Sequence, residues 1–233
     1  MSLSMFLYKI LGKNALRHHL LATAESDVMK HYLSAPFPDK KESIVNTKII
    51  SLDIETTGLD PENDSIVSIG LVEINNLGVE LDSCWYQVIK TSESMPESSV
   101  IIHQITDDKS AEGMNVDDAI SELLERIRGK VVLVHNTKVE QGFINKACQK
   151  LYGSEFVMPV IDTQVLAKRR FERSNVPYQG KDLRLFNLRK SFNLPVYKAH
   201  NALLDAIATA ELFLLMVKYF SSDSNIRLAK FLC

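Results

Sequence analysis

Residues Ile49-Ile50-Ser51-Leu52-Asp53-Ile54-Glu55 constrain the fold more than any other stretch of the chain. This apolar, β-prone run delivers two acids and then breaks at Thr56-Thr57-Gly58. Side chains alternate across a strand, so residues two apart share a face, and a strand here stands Asp53 and Glu55 together above one side of a sheet. Like charges that close repel. Burying them uncompensated is costly, and a shared proton or a bound cation resolves the conflict. Hard carboxylate oxygens select Mg²⁺ or Mn²⁺. Taken alone, the pair also fits an exposed strand end with two solvated acids, so the remainder of the chain has to decide.

The order of elements around this strand points to one fold class. After a turn at Asp60–Asp64, the β-rich runs Ser65–Ile74 and Val79–Ile89 flank Asn75-Asn76-Leu77-Gly78, which makes an antiparallel meander. Val116, Ile120, Leu123, Leu124 and Ile127 mark an amphipathic helix with Asn115 as its N-cap and Gly129 as its stop. Val131–Val134 is continuously apolar, as a strand buried on both faces would be, and ends at His135-Asn136. A helix to about Tyr152 follows, then a strand over Val157–Ile161, an N-cap at Asp162-Thr163 and three further helices. A meander followed by alternating strand and helix predicts an α/β fold, a mixed five-stranded sheet flanked by helices.

With 233 residues, 45% hydrophobic and 24% charged, the chain can bury one sizeable core. The net charge of -2 argues against a protein whose whole surface grips nucleic acid, while leaving local asymmetry open. Cys84, Cys148 and Cys233 show no metal-site spacing and read as reduced structural thiols. Lys9 interrupts the first apolar run, so no signal peptide is expected, and Ala202–Phe220 carries Asp205, Glu211 and Lys218 and reads as a buried helix rather than a membrane span. The expected location is the cytoplasm. Residues 1–46 are expected to form a helical extension and linker, 47–220 the main domain and 221–233 a tail; residues 1–33 have the periodicity of amphipathic helices that pack on the main domain or dock a partner.

Two later stretches supply what the first strand lacks. Glu140 falls in the first turn of a helix that starts at a strand's C-terminal end, where α/β sheets tend to build their sites. His200 stands at a helix entry with Asp205 about one turn in, and Ala202, Ala206 and Ala210 form a small-residue stripe that lets this helix lie close to the sheet and brings Asp205 towards Asp53. Four acids around one point can hold two divalent ions for phosphodiester hydrolysis. A neutral histidine beside them suits a general base.

Asp53-Ile54-Glu55-Thr56-Thr57-Gly58, His135-Asn136 with Glu140 and Phe143, and His200 with Ala202 and Asp205 resemble the three motifs of the DEDDh 3′→5′ exonucleases, in particular the proofreading epsilon subunits of bacterial DNA polymerase III. Ile102-His103-Gln104-Ile105-Thr106 and Ile161-Asp162-Thr163 resemble connecting segments of that family, and the likeness spans about residues 47–220. It implies a ribonuclease H-like fold, two Mg²⁺ or Mn²⁺ ions held by Asp53, Glu55, Glu140 and Asp205, and His200 as the base that deprotonates water. It further implies that Thr56, Thr57, Gly58, Leu59, Asn136 and Phe143 contact the terminal nucleotide, with His103 either near the scissile phosphate or structural. Release of 5′-mononucleotides from single-stranded or frayed DNA is the expected activity; RNA 3′-end trimming and a catalytically weakened nucleic-acid-binding module are the alternatives. The second motif departs from the family, which has aspartate commonly preceded by phenylalanine where this chain has Val139-Glu140. The polymerase-binding extension that typically follows the third motif is not seen, so a stand-alone nuclease, or one tethered through residues 1–33 to a polymerase or other partner, is the expectation.

Between Lys168 and Lys198, nine basic residues face two acids, Glu172 and Asp182, a local balance of +7. Phe171, Tyr178, Phe186, Phe192 and Tyr197 lie among them, a mixture expected to line a single-strand groove with phosphate contacts and stacked bases.

Overall fold

The computed structural model describes residues 12–90, 111–220 and 226–233. Its centre is β1 (Ile49–Thr56), which pairs antiparallel with β2 (Ile66–Asn75) and parallel with β4 (Val131–Val134). β3 (Gly78–Val88) pairs antiparallel with β2, and β5 (Val160–Asp162) runs parallel to β4, giving the mixed sheet order β3-β2-β1-β4-β5. The β2–β3 hairpin turns through Asn76 and Leu77, both at positive φ (50° and 57°), which matches the right-handed twist of the flanking strands. β5 begins three residues later than the apolar run suggests. Pro159 has no N–H to give a ladder, although its carbonyl accepts from Val132 N.

Helices cover both faces. Ile50, Leu52 and Ile54 of β1 and Val132 and Val134 of β4 pack with α1 (Lys13–Thr23), α2 (Asp27–Ser34), α3 (Val116–Ile127) and α4 (Thr137–Tyr152). Met29, Tyr32 and Leu33 are buried in this layer, and the Tyr32 hydroxyl donates to Val157 O at 2.9 Å, so the N-terminal helices spend their apolar faces on the core. The alternate residues Ile49, Val131 and Leu133 face the other layer, with α5 (Thr163–Arg173), α6 (Leu185–Ser191) and α7 (Ala202–Phe220). Phe231 and Leu228 close that layer, and Cys233 N donates to Val160 O. Among the described residues no helix is long and apolar enough to cross a membrane.

The close approach of α7 to the sheet positions the site. Ala202, Ala206 and Ala210 are all fully buried, and Ser51 on β1 donates its hydroxyl to Ala206 O at 2.7 Å. A Cβ on Gly70 of β2 would lie 2.2 Å from the Ala202–Leu203 backbone, so only glycine lets the helix start where it does. Gly70 sits opposite Asp53 in the register, so α7 begins beside the first of the two acids.

Candidate active site

Asp53 and Glu55 leave the same face of β1 as Ser51, the face that α7 covers, and a bulge after Glu55 shifts the register before the pairing resumes at Thr56. Glu140 comes from the first turn of α4, which begins where β4 ends, and is 3% exposed. Its Oε2 is buried with no hydrogen-bond partner among the described residues. Asp205 enters from the first turn of α7, where its Oδ2 accepts from His200 N at 3.0 Å. Asn201 caps this helix by accepting from Leu204 N at 3.1 Å, and His200 just before it adopts φ 67°, a left-handed conformation that turns the chain into α7. One ligand atom from each of Glu55, His200 and Asp205 falls within 4.8 Å of the others.

The carboxylates act on one another electrostatically. Loss of water around it, then the charges of Glu140, Glu55 and Asp205, push Asp53 well above the usual carboxylate range. Glu140 exerts the largest of the three neighbour effects, and it lines the same cavity as the other acids. Burial pushes Glu140 well up too, against the pull of a hydrogen bond from its own backbone N–H, with the Asp162 charge adding to the rise. Crowded buried carboxylates with an orphaned oxygen fit a hard divalent cation by charge and by donor type.

Asp162 explains how α4 is aimed. Its carboxylate accepts from Thr137 N and Oγ1, both at 2.8 Å, and from Gln164 N at 2.8 Å and Val165 N at 3.2 Å, capping the starts of α4 and α5 together. The expected cap on α5 is therefore present and also serves α4. Asn136 is the left-handed residue before α4, at φ 86°, and its N–H reaches Asp162 at 3.3 Å. His135 is a brace: Nε2 lies 2.9 Å from Leu183 O and Nδ1 2.7 Å from Thr163 Oγ1. Since a carbonyl only accepts, Nε2 carries the proton and Nδ1 accepts from the threonine hydroxyl. Burial lowers the His135 pKa to about 4, keeping the ring neutral.

The remaining residues expected at the site divide. Thr56 Oγ1 donates to Gly58 O at 2.6 Å and Thr57 Oγ1 to Asp64 Oδ1 at 3.1 Å, so both hydroxyls buckle the loop after β1. A Cβ at Gly58 would meet the Asp64 carboxylate at 2.4 Å, so a larger residue there has to displace a side chain held by Thr57 and Asp60 N. Leu59 stands at the loop tip, 83% exposed. Phe143 is buried in the core under the sheet and lines the neighbouring cavity beside Pro61–Ile66 rather than the acidic one. His103 lies outside the described residues.

The acids and His200 line a cavity of about 480 Å³. Its other wall is Arg184, Leu185, Phe186 and Asn187, none of which the motifs point to, although Arg184 and Phe186 fall in the basic and aromatic tract. Most of that tract is engaged within the protein rather than lining a groove. Phe171 stacks on Tyr178 with ring centres 5.4 Å apart, Arg170 lies over Phe192 and Tyr219, and Arg189 over Tyr197.

A mixed sheet of this order, with carboxylates converging on one cavity from its central strand and two helices, defines a ribonuclease H-like exonuclease fold. The family profile described as Exonuclease (RNase_T) matches residues 50–213, and the chain belongs to that family of nuclease hydrolases. It is 29% identical over 176 residues to the DNA polymerase III subunit epsilon of Treponema pallidum, covering 75% of this chain and 79% of that protein. It is 30% identical over 176 residues to the DNA polymerase III PolC-type of Thermotoga petrophila, covering 76% of this chain but only 12% of that much longer protein. Among solved structures, the nuclease domain of 3′hExo, a DEDDh family member bound to rAMP, superimposes with TM-score 0.65 at 16% identity, covering 76% of this chain and 94% of that one. Escherichia coli Exonuclease I in complex with a dT13 oligonucleotide does so with TM-score 0.61 at 15% identity, covering 75% of this chain and 42% of that one.

Proposed function

We propose that the chain is a metal-dependent 3′→5′ exonuclease that hydrolyses phosphodiester bonds at the 3′ ends of single-stranded or frayed DNA and releases 5′-mononucleotides. The observation that carries this reading is the convergence of Asp53, Glu55, Glu140, Asp205 and His200 on one cavity. Two Mg²⁺ or Mn²⁺ ions held by the four carboxylates supply, when bound, the Lewis-acid charge that activates water and stabilises the leaving oxygen. The His200 imidazole takes the proton of the attacking water. An O–P bond forms, the bond from phosphorus to the 3′ oxygen of the penultimate nucleotide breaks, and that oxygen leaves with a proton from solvent. The backbone of Thr56, Thr57 and Gly58 and the exposed Leu59 side chain receive the terminal nucleotide, with Asn136 beside them at the C-terminal end of the neighbouring parallel strand β4.

The relatives named as DNA polymerase III chains support a DNA substrate, a cytoplasmic location and a polymerase as partner. The outer faces of residues 13–33 are the surface assigned to that partner. Pull-down of a polymerase subunit by the intact chain, lost when the exposed His18, Asp27 and Lys30 are replaced by Ala with the melting temperature unchanged, supports the tether; capture that survives these changes contradicts it.

Digestion of a 5′-labelled single-stranded DNA with Mg²⁺ or Mn²⁺, beside an Asp53→Ala control and an RNA of the same sequence, tests the function. A ladder shortening from the 3′ end of the DNA and absent in the control is the expected result. Faster loss of the RNA makes the enzyme an RNA trimmer, and strand binding without products with either metal overturns the nuclease reading.

A further inference from the structure

The charge of the cavity raises a question the metal-binding acids leave open. Four carboxylates and two divalent ions cancel, so a loaded centre offers no net attraction to a polyanionic strand. Among the described residues lining the cavity, Arg184 is the one permanent cation. Among the described residues no hydrogen bond, ion pair or ring contact engages its exposed side chain. Other arginines nearby are occupied: Arg170 lies over two aromatic rings, and Arg189 donates to Ala208 O, Pro195 O and Glu211.

The backbone beneath Arg184 is fixed while its side chain is not. Asp182 Oδ2 accepts from Gln179 N at 2.8 Å, closing the turn Gly180–Leu183; Leu183 O is held by His135 at 2.9 Å; and Arg184 N donates to Lys181 O at 3.2 Å. Leu185 and Leu188, just beyond, are buried. Phe186 lines the same cavity and rests partly buried against the core, and Asn187 Nδ2 is tied to Lys181 O at 2.8 Å. A planar guanidinium on a rigid base, across from the acids, has the form of a bidentate phosphate clamp, and an aromatic beside it offers a face to a base.

We propose that Arg184 is a substrate-binding residue that grips a backbone phosphate of the 3′-terminal dinucleotide, with Phe186 against a neighbouring base. The assignment rests on the nuclease reading for the identity of the strand. Because Arg184 is exposed, Arg184→Gln and Arg184→Lys leave the fold intact, which matching thermal melts check.

The test is steady-state cleavage of a 5′-labelled single-stranded DNA by the full chain, with binding of the same oligomer in Ca²⁺ measured by fluorescence anisotropy. Arg184→Gln raises KM and Kd about tenfold or more with kcat within about threefold, because a charge-assisted phosphate contact is lost. It also flattens the fall of log affinity with log salt by about 0.7, the share of one phosphate contact on a single strand. Arg184→Lys keeps the salt slope and loses part of the affinity. Unchanged Kd and salt slope in Arg184→Gln overturn the clamp even where the wild type cleaves. Arg184-dependent binding by a wild type that does not cleave supports the clamp and overturns the nuclease reading alone.

Discussion

The two halves of the site are held by different means. Asp53 and Glu55 sit on a central strand paired on both sides, with Glu55 in the last regular pair before the bulge. His200 sits at the end of an irregular segment after α6, exposed, in a left-handed conformation. That segment is anchored from behind by a clamp. Arg189, 1% exposed, donates to Pro195 O at 2.9 Å and Glu211 Oε2 at 2.7 Å, and the Tyr197 hydroxyl donates to Glu211 Oε1 at 2.7 Å. Two repelling acids on one strand are held together by its ladder, whereas His200, the proposed base, sits on a tethered loop.

The comparison breaks most sharply at the strand. Asp53→Asn should cut kcat about 10⁴-fold, the scale of several kcal/mol of metal-derived stabilisation. In chelator the same variant should melt higher than wild type, because one of four mutually repelling carboxylates is gone, and added Mn²⁺ should then raise its melting temperature less. Single-turnover kinetics and melting curves read both. His200→Gln should lower kcat about 10²- to 10³-fold, the usual share of a general base, with little change in melting temperature because the side chain is exposed. An equal loss of stability in both variants would erase the distinction between the two halves.

Smaller effects probe the clamp and the brace. Arg189→Met leaves Glu211 without its buried cation and should cost about 3 kcal/mol of stability in urea unfolding. For His135, the unfolded value is 6.5 and the folded one about 4, so the unfolded chain binds the extra proton first as pH falls. Stability is unaffected above about pH 6.5 and drops by up to about 3 kcal/mol on acidification towards 4, a slope that His135→Asn should flatten. Tyr197→Phe removes one hydrogen bond, for about 1 kcal/mol, and should lower kcat a few-fold at unchanged KM by loosening the segment that carries His200.

Much of this was legible in the chain because it depends on short-range periodicity. Alternation over Ile49–Glu55 determines which face the acids share, and the alanines at 202, 206 and 210 announce a helix lying close to the sheet. What stayed hidden depends on groups distant in sequence. Gly70 is unremarkable within a strand until α7 crosses it, and Asp162 reads as the cap of one helix until the sheet brings the start of another to the same carboxylate. The tract from 168 to 198 reads as a groove by composition, yet Arg170 lies over Phe192 and Arg189 over Tyr197, and of its cations and rings only Arg184 and Phe186 line the cavity. Composition records how many cations and rings a segment has, not which of them the fold consumes.

On the proposed function, the carboxylates that β1, α4 and α7 bring to one cavity together hold the metal. Calorimetric titration of Mn²⁺ into the full chain at neutral pH, beside Asp53→Asn and Glu140→Gln, tests it most directly. Two ions bound per chain, with affinity or stoichiometry lost in both variants, is the predicted result. Binding that neither substitution disturbs, or no binding by the wild type, would contradict it.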